Sequence, residues 1–240
     1  MIAYHGSTDV GSVRTNNEDV FLINAAGRYC LVADGMGGAA AGEVASRIFT
    51  EAAQAVFDGH DGQSDADTIS RVKATFKLAN ETIQQHVRRN PHDQGMGCTA
   101  ELLAFSREHF IIGHVGDSRT YRLKNMVLKQ LTKDHSLVQE QVDQGRMAPQ
   151  EARRHPMRNV ILRAVGVQPD LVPDVLKGKP SPGDLFLLCS DGLSDMVEES
   201  LLQATMNGEG TLAEKSTALI ELANLAGGKD NVTVVLCAVG

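Results

Sequence analysis

Three times in this chain a short apolar run ends in a small residue, then aspartate, then a turn residue. The segments are Leu31-Val32-Ala33-Asp34-Gly35, Val115-Gly116-Asp117-Ser118 and Leu188-Cys189-Ser190-Asp191-Gly192. A related Lys229-Asp230-Asn231 stands immediately before the last apolar run. Apolar runs of strand length occur at 20–24, 29–33, 98–105, 109–115, 118–123, 126–131, 184–189 and 232–238, and residues 109–131 are nearly all strand and turn. They arrive in consecutive groups and do not alternate strictly with helices. That order favours a layered α+β domain with largely antiparallel sheets over a doubly wound parallel one.

Helical periodicity separates these groups. Ile69, Val72, Phe76, Ala79, Ile83 and Val87 recur at steps of three and four and predict one apolar helix face ending near Asn90-Pro91. Val44, Ala45, Ile48, Ala52 and Val56 predict a helix from about Gly42 to Phe57. Thr211 and Glu214 form a capping box for a helix through Leu212, Leu219, Leu222 and Leu225 that Gly227-Gly228 stops. Residues 58–67 read as an exposed polar loop. The stretch 133–165 reads as interrupted helix, rich in arginine (Arg146, Arg153, Arg154, Arg158, Arg163), and is expected to form an insertion or flap over one end of the domain. Nothing marks an internal linker, and 240 residues with 42% hydrophobic content suffice for one sizeable core. A single domain over 1–240 is therefore expected.

Any one of the aspartates is explained by turn chemistry alone, since Asp and Gly favour the bend after a strand. Four together read differently, because strand ends in one layered domain converge at one rim. Carboxylates crowded there repel one another and rise in pKa unless a cation holds them. Oxygen ligands point to the hard ions Mg²⁺ or Mn²⁺, and none of the eight histidines has zinc-ligand spacing. Side-chain-free Gly35 lets a backbone carbonyl approach such an ion. The segment lacks the lysine and the glycine spacing of nucleotide-binding loops. In Arg14-Thr15-Asn16-Asn17-Glu18-Asp19, Arg14 offers a bidentate fork for phosphate, while Glu18 and Asp19 stand ready to hold metal-bound water or to fix the arginine.

A formal net charge of −7 argues against nucleic-acid or anionic-membrane partners. The first ten residues carry no basic stretch or apolar core of a secretory signal, and no apolar run is long enough to span a bilayer. Cys30, Cys98, Cys189 and Cys237 are widely spaced and read as buried free thiols in a reducing compartment, hence the cytoplasm.

The motifs in order are R-x-x-N-E-D (Arg14, Asn17, Glu18, Asp19), V-A-D-G-M-G-G (Val32 to Gly38), G-D-S-R (Gly116 to Arg119), S-D-G-L (Ser190 to Leu193) and K-D-N-V-T (Lys229 to Thr233). Together they resemble the type 2C, or PPM, metal-dependent protein phosphatases, and most closely the bacterial members. The resemblance implies a four-layer α-β-β-α sandwich, two antiparallel sheets flanked by helices. It implies a protein-serine/threonine phosphatase using two core Mg²⁺ or Mn²⁺ ions and a third, weaker site. By the same resemblance Asp34 bridges two ions, the Gly35 carbonyl ligates one, and Asp191 and Asp230 ligate the other. Asp117, with Asp191, serves the third site; Glu18 and Asp19 support metal-bound water; Arg14 binds phosphate. The expected partners are phosphoserine and phosphothreonine proteins, including a Ser/Thr kinase or its substrates, acted on by a monomer.

The chemistry so implied is direct hydrolysis, with no phosphoenzyme, by water activated between two ions roughly 3.5–4 Å apart. Eukaryotic members carry a proposed histidine acid after the Asp-Gly; here Met36 stands there, leaving a water or His135 as candidate donors. Cys98 occupies a common threonine position and reads as a buried strand residue. Two other readings compete with this one. A catalytically inactive phosphate- or metal-sensing module on the same fold would lack ligand aspartates, and all are present. A two-metal nuclease or phosphodiesterase is disfavoured by the acidic charge, 4% aromatic content and absence of Trp.

Overall fold

Antiparallel pairing organises the chain into two sheets. In the computed structural model, which describes residues 1–37, 41–59 and 64–240, the elements run in order β1 (Ile2–Asp9), β2 (Asp19–Asn24), β3 (Tyr29–Met36), α1 (Ala41–Phe57), α2 (Asp65–Arg89), β4 (Gly97–Cys98), β5 (Ala100–Phe105), β6 (Phe110–Val115), β7 (Arg119–Lys124) and β8 (Val127–Gln130). They continue with α3 (Leu137–Asp143), α4 (Pro149–Ala152), β9 (Asp174–Gly178), β10 (Leu185–Cys189), α5 (Asp191–Ser194), α6 (Glu199–Asn207), α7 (Leu212–Leu225) and β11 (Val232–Val239). One sheet has the order β1-β11-β10-β7-β8; the other follows β2-β3-β5-β6-β9, with β4 also paired to β3.

The sheets pack face to face through Cys30, Val32, Leu103, Phe105, Phe110, Ile112, Phe186, Leu188, Val235 and Cys237. Phe186 meets Phe110 and Phe105 edge-on, with centroids 4.9 and 5.9 Å apart, the arrangement aromatic quadrupoles prefer. Helices α1 and α2 cover the outer face of the second sheet, where Phe49, Phe76 and Ile83 join Leu31, Leu102 and Ile111. Helices α6 and α7 cover the other, placing Leu202, Met206 and Leu219 against Leu187, Val234 and Leu236. The expected α-β-β-α layering is thus observed. All four cysteines are free and buried. Among the described residues no helix is long and apolar enough to cross a membrane.

Several boundaries differ from expectation. The loop expected at 58–67 gives way at Asp65 to α2, because Ser64 caps the helix by accepting the Asp67 N–H; residues 60–63 of that loop lie outside the described residues, as does Gly38. The run 98–105 is broken at Thr99, whose N–H leaves the ladder to donate to the Asp34 carbonyl at 2.9 Å. Strands β1 and β9 and helix α6 were not expected. The segment 133–165 holds α3 and α4 and is tied down at two isolated bridges, Ser136 to Ile161 and Cys98 to Val165.

Candidate metal and phosphate site

Strand register sets the first pair of carboxylates. Asp19 opens β2 directly opposite Asp34 in β3, and neighbours across an antiparallel pair stand side by side. The Ser190 hydroxyl donates to Asp19 Oδ2 at 2.7 Å and accepts the Thr233 N–H at 3.0 Å. Those two bonds lock the end of β10, where Asp191 stands, onto β2 and β11. Asn231 performs the same task on the other side. Its Oδ1 accepts the Glu18 N–H at 2.8 Å and its Nδ2 donates to the carbonyls of Asn16 and Val10. Asp230 Oδ1 accepts the Asn231 N–H, and Asp230 Oδ2 receives Arg14 Nη2 at 2.8 Å.

Gly35 lies where no side chain fits. A Cβ there would stand 2.1 Å from the Gly42 carbonyl oxygen and 2.7 Å from that of Glu18, and one at Gly42 would stand 2.1 Å from Glu18 Oε2. The close approach holds Glu18 beside Asp34-Gly35, which form no turn but continue β3 to Met36, and there the Gly35 N–H and the Ser46 hydroxyl both donate to the Glu18 carbonyl. Asp34, Gly35, Asp191, Asp230, Asp117, Glu18, Asp19 and Arg14 are therefore brought to one rim from the ends of both sheets.

Electrostatics register the crowding. Burial, followed by the charges of Asp19, Asp191, Asp117 and Asp230, holds the Asp34 carboxyl well above the ordinary range. Burial and then Asp117, Asp195, Asp230 and Asp19 do the same to Asp191. Asp19 is pushed up to about 6 by burial, against the hydrogen bonds from Ser190 and Thr233. Asp117 is pushed up to about 7 by burial and by Asp134 and Asp195. Buried carboxylate oxygens normally have partners, yet Asp19 Oδ1 and Asp117 Oδ1 have none. A divalent cation would satisfy both the unpartnered oxygens and the mutual repulsion, so this donor set fits a hard oxygen-liganded ion. Among the described residues no three such side chains close into a direct-ligation group. Mg²⁺ commonly keeps several waters and takes only one or two carboxylates, which suits the open spacing.

A cavity of about 870 Å³ opens from the rim, lined by Asp117 and Asp191 together with Arg119, Arg153, Arg154, Arg158 and the segment 194–199 that leads into α6. Sequence reading missed Asp195, which raises both Asp117 and Asp191 and pairs with Arg158 at 3.0 Å. Its signal was present: Asp195 follows Asp191 by four, on the same face of one helical turn. It also missed Asp134, held bidentately by Arg119, and the orienting roles of Ser190 and Asn231. His135, a candidate proton donor on sequence grounds, has both ring nitrogens engaged within the protein, Nδ1 by the Gly116 N–H and Nε2 by Arg163 and Asp174. Cys98 is buried, and burial holds its thiol far above the ordinary range, so it is no nucleophile.

Fold and rim define the class first: an α-β-β-α sandwich whose strand ends build an acidic centre for hard cations. The protein phosphatase 2C family model matches residues 12–222. The serine/threonine protein phosphatase PstP of Mycobacterium tuberculosis is 41% identical over all 240 residues, which span 45% of the length of that relative. Protein phosphatase PhpP of Streptococcus pneumoniae is 38% identical over 236 residues, 95% of this chain and 94% of its own. The catalytic domain of PstP in complex with two manganese ions superposes with a TM-score of 0.90 at 38% identity, covering 100% of this chain and 99% of that one. The chain belongs to the protein phosphatase 2C family.

Proposed function

We propose that this chain is a metal-dependent protein-serine/threonine phosphatase, one domain with residues 133–165 as its flap, that hydrolyses phosphoserine and phosphothreonine in proteins and opposes a Ser/Thr kinase in the cytoplasm. The observation that carries the reading is the convergence of Asp19, Asp34, Asp117, Asp191 and Asp230 on one rim with unpartnered carboxylate oxygens. Asp34, the Gly35 carbonyl, Asp191 and Asp230 would hold two Mg²⁺ or Mn²⁺ ions, with Asp117 serving a third. When bound, such ions polarise a phosphoryl oxygen and lower the pKa of water by Lewis acidity.

The chain's own residues do the rest. Arg14, about half exposed and paired to Asp230, turns one edge of its fork to the carboxylate and leaves remaining N–H donors for two phosphoryl oxygens. Glu18, fixed through its backbone by Gly35, Ser46 and Asn231, and Asp19, fixed by Ser190, orient water at the rim. Ser190 and Asn231 keep Asp191 and Asp230 at constant separation as substrate enters, which is the positioning that phosphoryl transfer chiefly requires.

The test is hydrolysis of phosphothreonine peptide, phosphotyrosine peptide and DNA, each with Mn²⁺ and with EDTA. Turnover of the phosphothreonine peptide alone, abolished by EDTA and by Asp34→Asn in a folded variant, is expected. Metal-independent turnover, or near-parent activity of Asp34→Asn, would overturn the assignment. Binding of Mn²⁺ with no turnover of any substrate would leave a sensing module in its place.

A further inference from the structure

His135 is buried to 10% side-chain exposure, and two of its hydrogen bonds go to the turn before Asp117 while a third ties it to Leu162. Its backbone N–H donates to the Gly116 carbonyl at 2.7 Å, and the Gly116 N–H returns to His135 Nδ1 at 3.1 Å. The Leu162 N–H donates to the His135 carbonyl at 2.7 Å, holding the histidine from its other side. Gly116 itself sits at φ +110, where L residues rarely go, and a Cβ there would lie 2.5 Å from Thr99 Cβ. The turn is therefore held in a conformation that glycine adopts freely and other residues rarely do, between Thr99 on one side and His135 on the other, and it ends in the unpartnered Asp117 Oδ1.

We infer that His135 is a positioning residue: its neutral ring, protonated on Nε2, accepts the Gly116 N–H and so fixes the turn that aims Asp117 into the acidic rim. The tautomer follows from the donors around the ring. Nδ1 must present a lone pair to Gly116, which leaves the proton on Nε2 facing Asp174 Oδ2 at 3.3 Å. Arg163 Nη1, which can only donate, also lies 2.8 Å from Nε2 and competes for that lone pair. Its guanidinium has other acceptors in Asp174 Oδ1 at 2.9 Å and the Val172 carbonyl, whereas the Gly116 N–H is fixed in the backbone and has only Nδ1. The lone pair is therefore assigned to Nδ1, and the arginine turns its N–H from Nε2. The opposite tautomer would turn two N–H groups on each other at Gly116. Against the ring lies His114, tilted by 36° with centroids 4.5 Å apart and anchored on the Lys133 carbonyl and Glu101. Burial, together with the charges of His114 and Arg163, pushes His135 down to about 4, which keeps the ring neutral at physiological pH.

The inference rests on Asp117 being a rim ligand, and the experiment separates the two. The ¹⁵N resonances of His135 in the unmodified protein report the tautomer directly, and the Nε2–H form is expected. In His135→Leu, loss of one acceptor should speed exchange of the Gly116 amide by about tenfold, the scale of one hydrogen bond, and should weaken Mn²⁺ binding measured by calorimetry. His135→Asn, whose Oδ1 can take the place of Nδ1, should restore both to within about threefold. A proton donor would behave differently, with kcat lost alike in both variants. An Nδ1–H tautomer, or an Asn variant no better than Leu, overturns the inference even where the Leu variant folds poorly. If Asp117→Asn leaves Mn²⁺ binding unchanged, the ligand reading fails. If Asp117→Asn alters binding while His135→Leu does not, the positioning role fails.

Discussion

Asp117→Asn gives the acidic rim a thermodynamic test that needs no substrate. In the metal-free protein the folded state holds the Asp117 carboxyl at about 7, against 3.8 for the free group, because burial, Asp134 and Asp195 disfavour its charge. The folded form therefore binds more protons than the unfolded one, so stability falls as pH rises from 3.8 toward 7 and is then constant. Between about pH 5 and pH 7 the slope of about 1.4 kcal/mol per unit amounts to about 3 kcal/mol. Neighbouring aspartates take up part of the proton, so this is a ceiling. Asparagine removes the charge, and any fixed cost of its buried amide is the same at both ends of the range. The advantage of Asp117→Asn over the parent in EDTA should thus grow by up to about 3 kcal/mol between pH 5 and pH 8. At about 2–4 °C per kcal/mol for a chain of this size, that is up to about 12 °C of differential Tm by scanning calorimetry. Mn²⁺ should then stabilise the parent more than the variant. An advantage that does not change with pH, or that shrinks as pH rises, refutes the claim that repulsion among buried carboxylates dominates this rim.

Arg14→Ala should lower kcat/KM for a phosphothreonine peptide by about tenfold or more, mainly through KM, since charge-assisted bonds to phosphate contribute about 1.5–3 kcal/mol; unchanged steady-state constants would refute its role. Phe186→Ala, at the centre of the sheet interface, should cost about 3–5 kcal/mol in chemical denaturation. Arg153→Glu with Arg154→Glu replaces the pairing of Arg153 to Glu198 and Glu199 with repulsion between α4 and α6. A loss on phosphoprotein but not on a small aryl phosphate is expected, and equal effects on both would mean that the arginines serve only the fold.

Legibility of the fold followed local signal strength. Helix α2 was readable because Val72, Phe76, Ala79 and Ile83 form its buried face, and α7 because its capping box is spelled out by Thr211 and Glu214. Strand β1 was not, since His5, Gly6 and Ser7 interrupt its alternation; only pairing with β11 along its whole length makes it a strand. Strand β9 depends likewise on β6. The aspartates were legible because each marks the end of an apolar run, whereas their convergence depends on Ser190 and Asn231, whose bonds span 171 and 213 residues of chain. His135 illustrates the limit: its sequence position suggests proton transfer, and the neighbours of its two nitrogens, Gly116, Arg163 and Asp174, are brought to it only in three dimensions.

The order of the first sheet carries a consequence for biosynthesis. Strand β11 is translated after every other element, yet it lies between β1 and β10, with Ile2 opposite Val239 and Cys189 opposite Val234. A nascent chain still lacking it has β1 without its neighbour, Asp19 without the Ser190–Thr233 brace, and no Asp230. Domains in general fold as units during synthesis, and here the unit cannot close until its last strand leaves the ribosome. Metal-dependent activity of nascent chains is therefore expected to be absent until residues 229–240 have left the exit tunnel. A chain truncated at Gly228 should be inert as well as unstable, and an added strand 229–240 is the natural fragment with which to reconstitute it.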